Sequence, residues 1–200
     1  MHSYQTLENK LHLEQSLPVN ENWTAAADFL HLLADYCLRE KPETIVECSS
    51  GASTLVLSRC CQLNEKGRVY SLENGAEFVQ QTRQQLDDFG LADYASVLHA
   101  PMKDYLLRNR KFQWYDLTHF YPRGIDLLVI DGPPGVMQKH SRYPALPLLG
   151  SHLARQCLIF LDDASRPDER DIVRCWMQEH DEFETEFVDT ERGCSVLIRR

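Results

Sequence analysis

Apolar positions along this chain recur with two periods that alternate from one segment to the next. Phe29, Leu30, Leu33 and Leu38 share one face of a helix predicted over 23–39, with Asn22 or Thr24 as its cap and Pro42 beyond its end. A short buried strand is predicted at Thr44–Cys48, a helix at about 53–61, and a second strand, Val69–Glu73, after Gly67. Residues 76–88 read as helix and Tyr94–His99 as a third strand. Ile125–Asp131 is the clearest strand of all, an apolar run ending in an acid. A helix near Ala145–Ala154 leads into the strand Cys157–Asp162, and another helix spans about 168–179. The segments 183–189 and 195–199 then predict a terminal antiparallel hairpin across Arg192-Gly193.

Strand–helix alternation with continuous apolar strands implies an α/β fold. The expected architecture is a doubly wound, Rossmann-like and mostly parallel sheet, covered on both faces and closed by that C-terminal hairpin. Two hundred residues suit one domain. Its expected extent is 23–200, with 1–22, where periodicity is weak, as a partly ordered N-terminal extension. Trp23 is expected as a core residue at the helix start, with a lid over a ligand as the alternative.

Ligands of such sheets bind outside the carboxyl ends of the strands. Those ends carry Glu47, Glu73, His99, Asp131 and the pair Asp162–Asp163. After the first strand come Ser49, Ser50, Gly51, Ala52, Ser53 and Thr54. Small residues there let a ligand approach the backbone, and the following helix offers free N–H groups. Glu73 at the second tip can accept both hydroxyls of a ribose. Asp131 and Asp162–Asp163 stand at the ends of neighbouring strands, so three carboxylates can converge and suit Mg²⁺ or a similar hard cation. The alternative is structural, with Asp162 paired to Arg166 or Arg170. Between the strands, Gly132-Pro133-Pro134-Gly135 is a stiff turn, and its loop holds Lys139, His140, Arg142 and Tyr143. Lys139 and His140 are candidate catalytic bases, while Arg142, Tyr143 and Arg166 are candidates for gripping an acceptor.

These motifs together resemble the class I S-adenosylmethionine-dependent methyltransferases over roughly residues 40–200. Val46–Thr54 looks like their first motif, Val69–Asn74 like their second, and Ile125–Gly135 like the motif on their fourth strand. The resemblance implies that Glu47 and Gly51 border the methionine part of the cofactor, that Ser49 and Ser53 also belong to the cofactor site, and that Glu73 holds the ribose. It further implies that Ala100, Pro101 and Met102 flank the adenine and that Asp131 sits beside the sulfonium and the acceptor. The three carboxylates look similar to the metal site of the catechol-type O-methyltransferases, which implies a divalent ion on Asp131, Asp162 and Asp163. Two departures stand out. Ser49 occupies a position often held by glycine, where a side chain costs little if φ is negative. Pro133-Pro134 stands where the family has a lysine.

Charge narrows the partners. Twenty-one basic against thirty acidic residues leave a net charge of −9, which argues against nucleic acid and leaves a small-molecule or sugar acceptor. The seven cysteines include no C-x-x-C pair and read as reduced thiols packed as small hydrophobes. No apolar run has membrane length and the N-terminus lacks a signal core, so the expected location is the cytoplasm, away from membranes. The leading expectation is an O-methyltransferase. An NAD-dependent oxidoreductase is the second, weakened by the lack of G-x-G-x-x-G. A non-catalytic binding protein with a degenerate cofactor site is the third.

Overall fold

A computed structural model gives the fold and describes residues 2–20 and 23–199. The elements in chain order are α1 (Tyr4–Lys10), α2 (Ala27–Glu40), β1 (Thr44–Cys48), α3 (Ala52–Asn64), β2 (Arg68–Glu73), α4 (Ala76–Asp88), β3 (Ala95–His99), β4 (Met102–Leu107), β5 (Arg110–Tyr115), β6 (Ile125–Ile130), α5 (Ala145–Leu149), β7 (Leu153–Leu161), α6 (Pro167–Glu179), β8 (Phe183–Val188) and β9 (Cys194–Arg199). Seven strands form one sheet in the order β3-β2-β1-β6-β7-β9-β8, and β4 and β5 pair separately. The strands β3, β2, β1, β6 and β7 run parallel, while β9 is antiparallel to both β7 and β8. This is the expected Rossmann-like sheet with its reversed terminal hairpin.

The period-2 geometry of each strand divides the core into two layers. Ile45, Val69, Leu127 and Val129 face a layer built from α1 to α4. Val46, Leu72, Leu128 and Ile130, at positions of the opposite parity along the same strands, face the β4–β5 hairpin, α5 and α6. The segment before α2 belongs to the first layer. Its Leu7, Leu11 and Leu17 are buried there, and Glu8 accepts a 2.7 Å bond from the Leu17 backbone N–H.

Several details differ from the sequence reading. Helix α2 begins at Ala27, with Ala26 at its cap position, so Thr24 does not cap it; Asn22 lies outside the described residues. Thr24 instead accepts the Asn20 N–H at 2.7 Å. Trp23 is 69% exposed and is not a core residue. The helix expected over 145–154 ends at Leu149, and β7 already starts at Leu153, because that end pairs with Ile125 before the register shifts. The hairpin β4–β5 was not expected. Cysteines 37, 48, 60, 61, 157 and 194 are buried as free thiols, and burial pushes all six upward in pKa, which suits a packing role. No helix among the described residues is long and apolar enough to cross a membrane.

Candidate functional site

Strand β1 pairs with β2 on one side and β6 on the other, with Cys48 in register with both Leu72 and Ile130. The residues that follow therefore line one edge of the sheet. Ser49 N–H donates to Leu72 O at 3.0 Å, and Asp131 N–H donates to Cys48 O at 3.2 Å. Glu73 and Asp131 thus flank the turn that leads into α3.

Glu47 lies beneath this turn, fully buried. Its Oε2 accepts hydrogen bonds from Thr54 Oγ1 (2.7 Å) and Ser71 Oγ (2.8 Å), while Oε1 is buried without a partner. Burial raises its pKa to about 7, and the hydroxyls of Ser53, Thr54 and Ser71 oppose that rise only in part.

The turn itself is strained at Ser49. Its φ is +128°, so the condition under which a side chain is cheap there is not met, and Gly51 follows with φ +141°. A Cβ on Gly132 would come within 3.4 Å of Ser49 Cβ, so the β1 and β6 turns also approach closely. Ser49→Gly is expected to raise stability by about 1 kcal/mol, strain relief outweighing the extra chain entropy, and to keep or improve cofactor affinity. Denaturant unfolding with and without ligand measures both, and a less stable or weaker-binding variant would show the turn is misplaced.

Glu73 is held by two donors, Ser50 Oγ at 3.0 Å and the Gly75 N–H at 2.9 Å. Thr82 Oγ1 lies 3.1 Å from the same Ser50 hydroxyl, which connects α4 to the turn. Ala100 N–H donates to Glu73 O at 2.7 Å, so the segment after β3 is fixed beside this carboxylate. Ala100 is buried, Pro101 is exposed, and Met102 opens β4 half-buried. The structure thus brings together Glu47, Ser49, Gly51, Glu73, Ala100 and Asp131, and Ser53 is buried in the first turn of α3.

The Asp131, Asp162 and Asp163 carboxylates also converge, with one oxygen of each within 4.8 Å of the others. Arg142 reaches into them. Its Nη2 donates to Asp163 Oδ2 (2.7 Å), Asp131 O (2.8 Å) and Asp131 Oδ1 (3.2 Å), and its Nη1 to Asp162 O (2.9 Å). Arg166, with a half-exposed side chain, pairs with the same Asp163 Oδ2 at 2.8 Å. Burial and the neighbouring carboxylates push Asp162 well up; burial and Asp163 push Asp131 up against the pull of Arg142.

The acceptor-gripping roles expected of Arg142 and Tyr143 are corrected by their placement. Arg142 is 2% exposed and spends its donors inside the protein. Tyr143 stacks on Phe112 and donates to Glu179 Oε2 at 2.8 Å. The reason is local: Ser141 Oγ donates to Pro133 O at 3.0 Å and Trp176 Nε1 to Tyr143 O at 3.0 Å, which folds the end of the loop inward. His140 is also buried, with φ +58°, its ring 3.6 Å from Asp168 and its backbone N–H bonded to that residue. Burial lowers its pKa against the pull of Asp168. Lys139 remains exposed.

Tyr115 was not anticipated. It ends β5, and a Cβ on Gly132 would overlap its hydroxyl and lie 3.1 Å from Cys48 O, so only glycine fits between the hairpin and β1. The signal was present in Lys111-Phe112-Gln113-Trp114, an alternating polar–apolar run.

A family model described as a methyltransferase domain matches residues 46–164. No curated protein matches the chain. Among solved structures, the chain is similar to a methyltransferase from Geobacter sulfurreducens, with a TM-score of 0.65 and 16% identity over 98% of this chain and 85% of that one. It is similar to an O-methyltransferase from Bacillus cereus in complex with S-adenosylhomocysteine (SAH), with a TM-score of 0.69 and 13% identity over 98% and 89%. It is also similar to the Streptomyces achromogenes O-methyltransferase involved in tomaymycin synthesis, in complex with S-adenosylmethionine, with a TM-score of 0.66 and 13% identity over 97% and 86%. At these identities the likeness is one of fold.

Proposed function

Since the chain belongs to the methyltransferase-domain family, whose model spans more than half of it, we propose that it methylates a hydroxyl of a small molecule or sugar with S-adenosylmethionine. The observation that carries this reading is the row of acids along one sheet edge, Glu47, Glu73 and Asp131, around a turn of small residues. When bound, the cofactor supplies a methyl group on a sulfonium. Glu73, braced by Ser50 and Gly75, would accept the ribose hydroxyls. Glu47 Oε1, buried without a partner, suits a cationic ammonium, directly or through a water. Asp131 gives only Oδ1 to Arg142, and its side chain stays 16% exposed, so its carboxylate can take the acceptor's hydroxyl proton. The bound cofactor would supply its methyl carbon to that hydroxyl's oxygen and leave as SAH, the carbon–sulfur electron pair returning to sulfur.

The divalent ion implied by resemblance is not needed in this reading, because a guanidinium already sits against the carboxylates that would hold it. An NAD-dependent oxidoreductase gives the Asp131 cluster no role. Calorimetric titration of S-adenosylmethionine, with NAD as control, tests the class: micromolar binding of the first and none of the second is expected. Binding of neither would sink the enzymatic reading and leave the fold.

The pKa of Glu47 gives that titration a pH dependence. Ionised Glu47 favours a cationic ligand, and with a pKa of about 7 roughly a tenth of it is ionised at pH 6 and nine-tenths at pH 8. Cofactor affinity is expected to rise about tenfold over that interval, with a proton released on binding. The stability of the free protein is expected to follow the opposite trend. Its folded Glu47 holds the proton above the ordinary value of 4.5, so stability falls as pH rises from 4.5 to about 7. An affinity flat across pH 6–8 would remove Glu47 from contact with the ligand's charge.

A further inference from the structure

We infer that Arg142 is the resident cation of the Asp131–Asp162–Asp163 cluster and that this protein works without a divalent metal. Arg142 bonds to the backbone oxygens that end β6 and β7 and to one carboxylate oxygen each of Asp131 and Asp163, and its Nε lies 3.9 Å from Glu169 at the start of α6. One buried guanidinium therefore ties together three segments and meets the acids of all three.

The site does not fit an ion that must also hold an acceptor. A divalent cation on Asp131 Oδ1 and Asp163 Oδ2, at about 2.0–2.6 Å from each, would lie against Nη2, which is 3.2 and 2.7 Å from those same oxygens. Two like charges that close repel strongly in a buried site. Of the oxygens Arg142 leaves free, both of Asp162 and Oδ1 of Asp163 are shut off from solvent, whereas Asp131 Oδ2 belongs to a side chain that is 16% exposed. An ion on the shut-off oxygens has no open position for a substrate, and one on Asp131 Oδ2 would have a single carboxylate ligand facing the surface. Arginine also keeps its charge at every working pH, so the cluster does not empty itself of this cation. Arg166 on Asp163 adds a second positive charge from the surface.

The inference deepens the methyl-transfer reading and is tested apart from it. Mn²⁺ is titrated into the full chain and followed by electron paramagnetic resonance, with S-adenosylmethionine affinity measured on the same samples with and without chelator. No saturable Mn²⁺ binding up to millimolar concentration is expected, and cofactor affinity should not respond to chelator. One Mn²⁺ per chain, bound saturably and lost in Asp162→Asn, would overturn the inference. Arg142→Met supplies the converse. Stripped of its cation, the cluster should lower the melting temperature by roughly 10 °C, and added Mn²⁺ or guanidinium should restore part of that loss. A variant that melts like the parent and takes up no cation would equally overturn it. If Arg142→Met does not fold, the parent titration still decides. Loss of S-adenosylmethionine binding by the parent would sink the methyltransferase reading and leave the Mn²⁺ result standing.

Discussion

Asp131→Asn is expected to cut methyl transfer by about 10²–10⁴-fold, the range for removing a positioned general base, while leaving the fold intact. The substitution keeps the shape of the side chain and removes only its charge and basicity. Arg142 retains its bonds to Asp131 O, Asp162 O and Asp163 Oδ2, so the ends of β6 and β7 stay joined. Cofactor affinity should change little by comparison, because Glu47 and Glu73 are untouched. SAH release with an acceptor found by screening hydroxylated compounds gives the rate, and thermal melting reports on the fold. A variant with normal turnover would take the base role from Asp131 and leave exposed Lys139 as the remaining candidate on that loop.

How much of this was legible in the sequence depended on how local each signal was. The sheet was legible because parallel strands buried on both faces need continuous apolar runs, and Leu127–Ile130 is one, with the shorter Ile45-Val46 in β1. The tips Glu73 and Asp131 were legible because a strand's end fixes where its next polar residue must lie, whereas Glu47 sits one residue inside β1, beneath the turn. The hairpin β4–β5 was missed because its two-residue turn is Arg108-Asn109, both at positive φ, where Asn-Gly would be the recognisable pair. The destination of Arg142 could not be read at all. Nothing in its neighbours distinguishes a loop arginine that grips a ligand from one that turns inward. That choice is made by carboxylates 11 to 27 positions away in the chain, brought together only when β6, β7 and α6 are in place. Ser49 shows the same limit, since the sign of its φ follows from the join between β1 and α3 rather than from its own preference.

Glu73→Ala is expected to weaken S-adenosylmethionine binding by about 1.5–3 kcal/mol, or roughly 10–150-fold, the scale of hydrogen bonds to a charged acceptor. Glu73 also receives Ser50 Oγ and the Gly75 N–H, so alanine could act by loosening the turn rather than by removing a ligand contact. Glu73→Gln separates the two effects. Its amide oxygen can still accept from Ser50 or Gly75, but the charge is gone and one acceptor becomes a donor. If Glu73 binds the ribose, glutamine should lose a large part of the same affinity while the cofactor-free protein melts near the parent temperature. If its role is only to brace the turn, glutamine should bind like the parent and alanine should lower the melting temperature together with the affinity. Unchanged affinity in both variants would move the cofactor away from the tip of β2, and with it the reason for reading Ala100 and Met102 as its adenine wall.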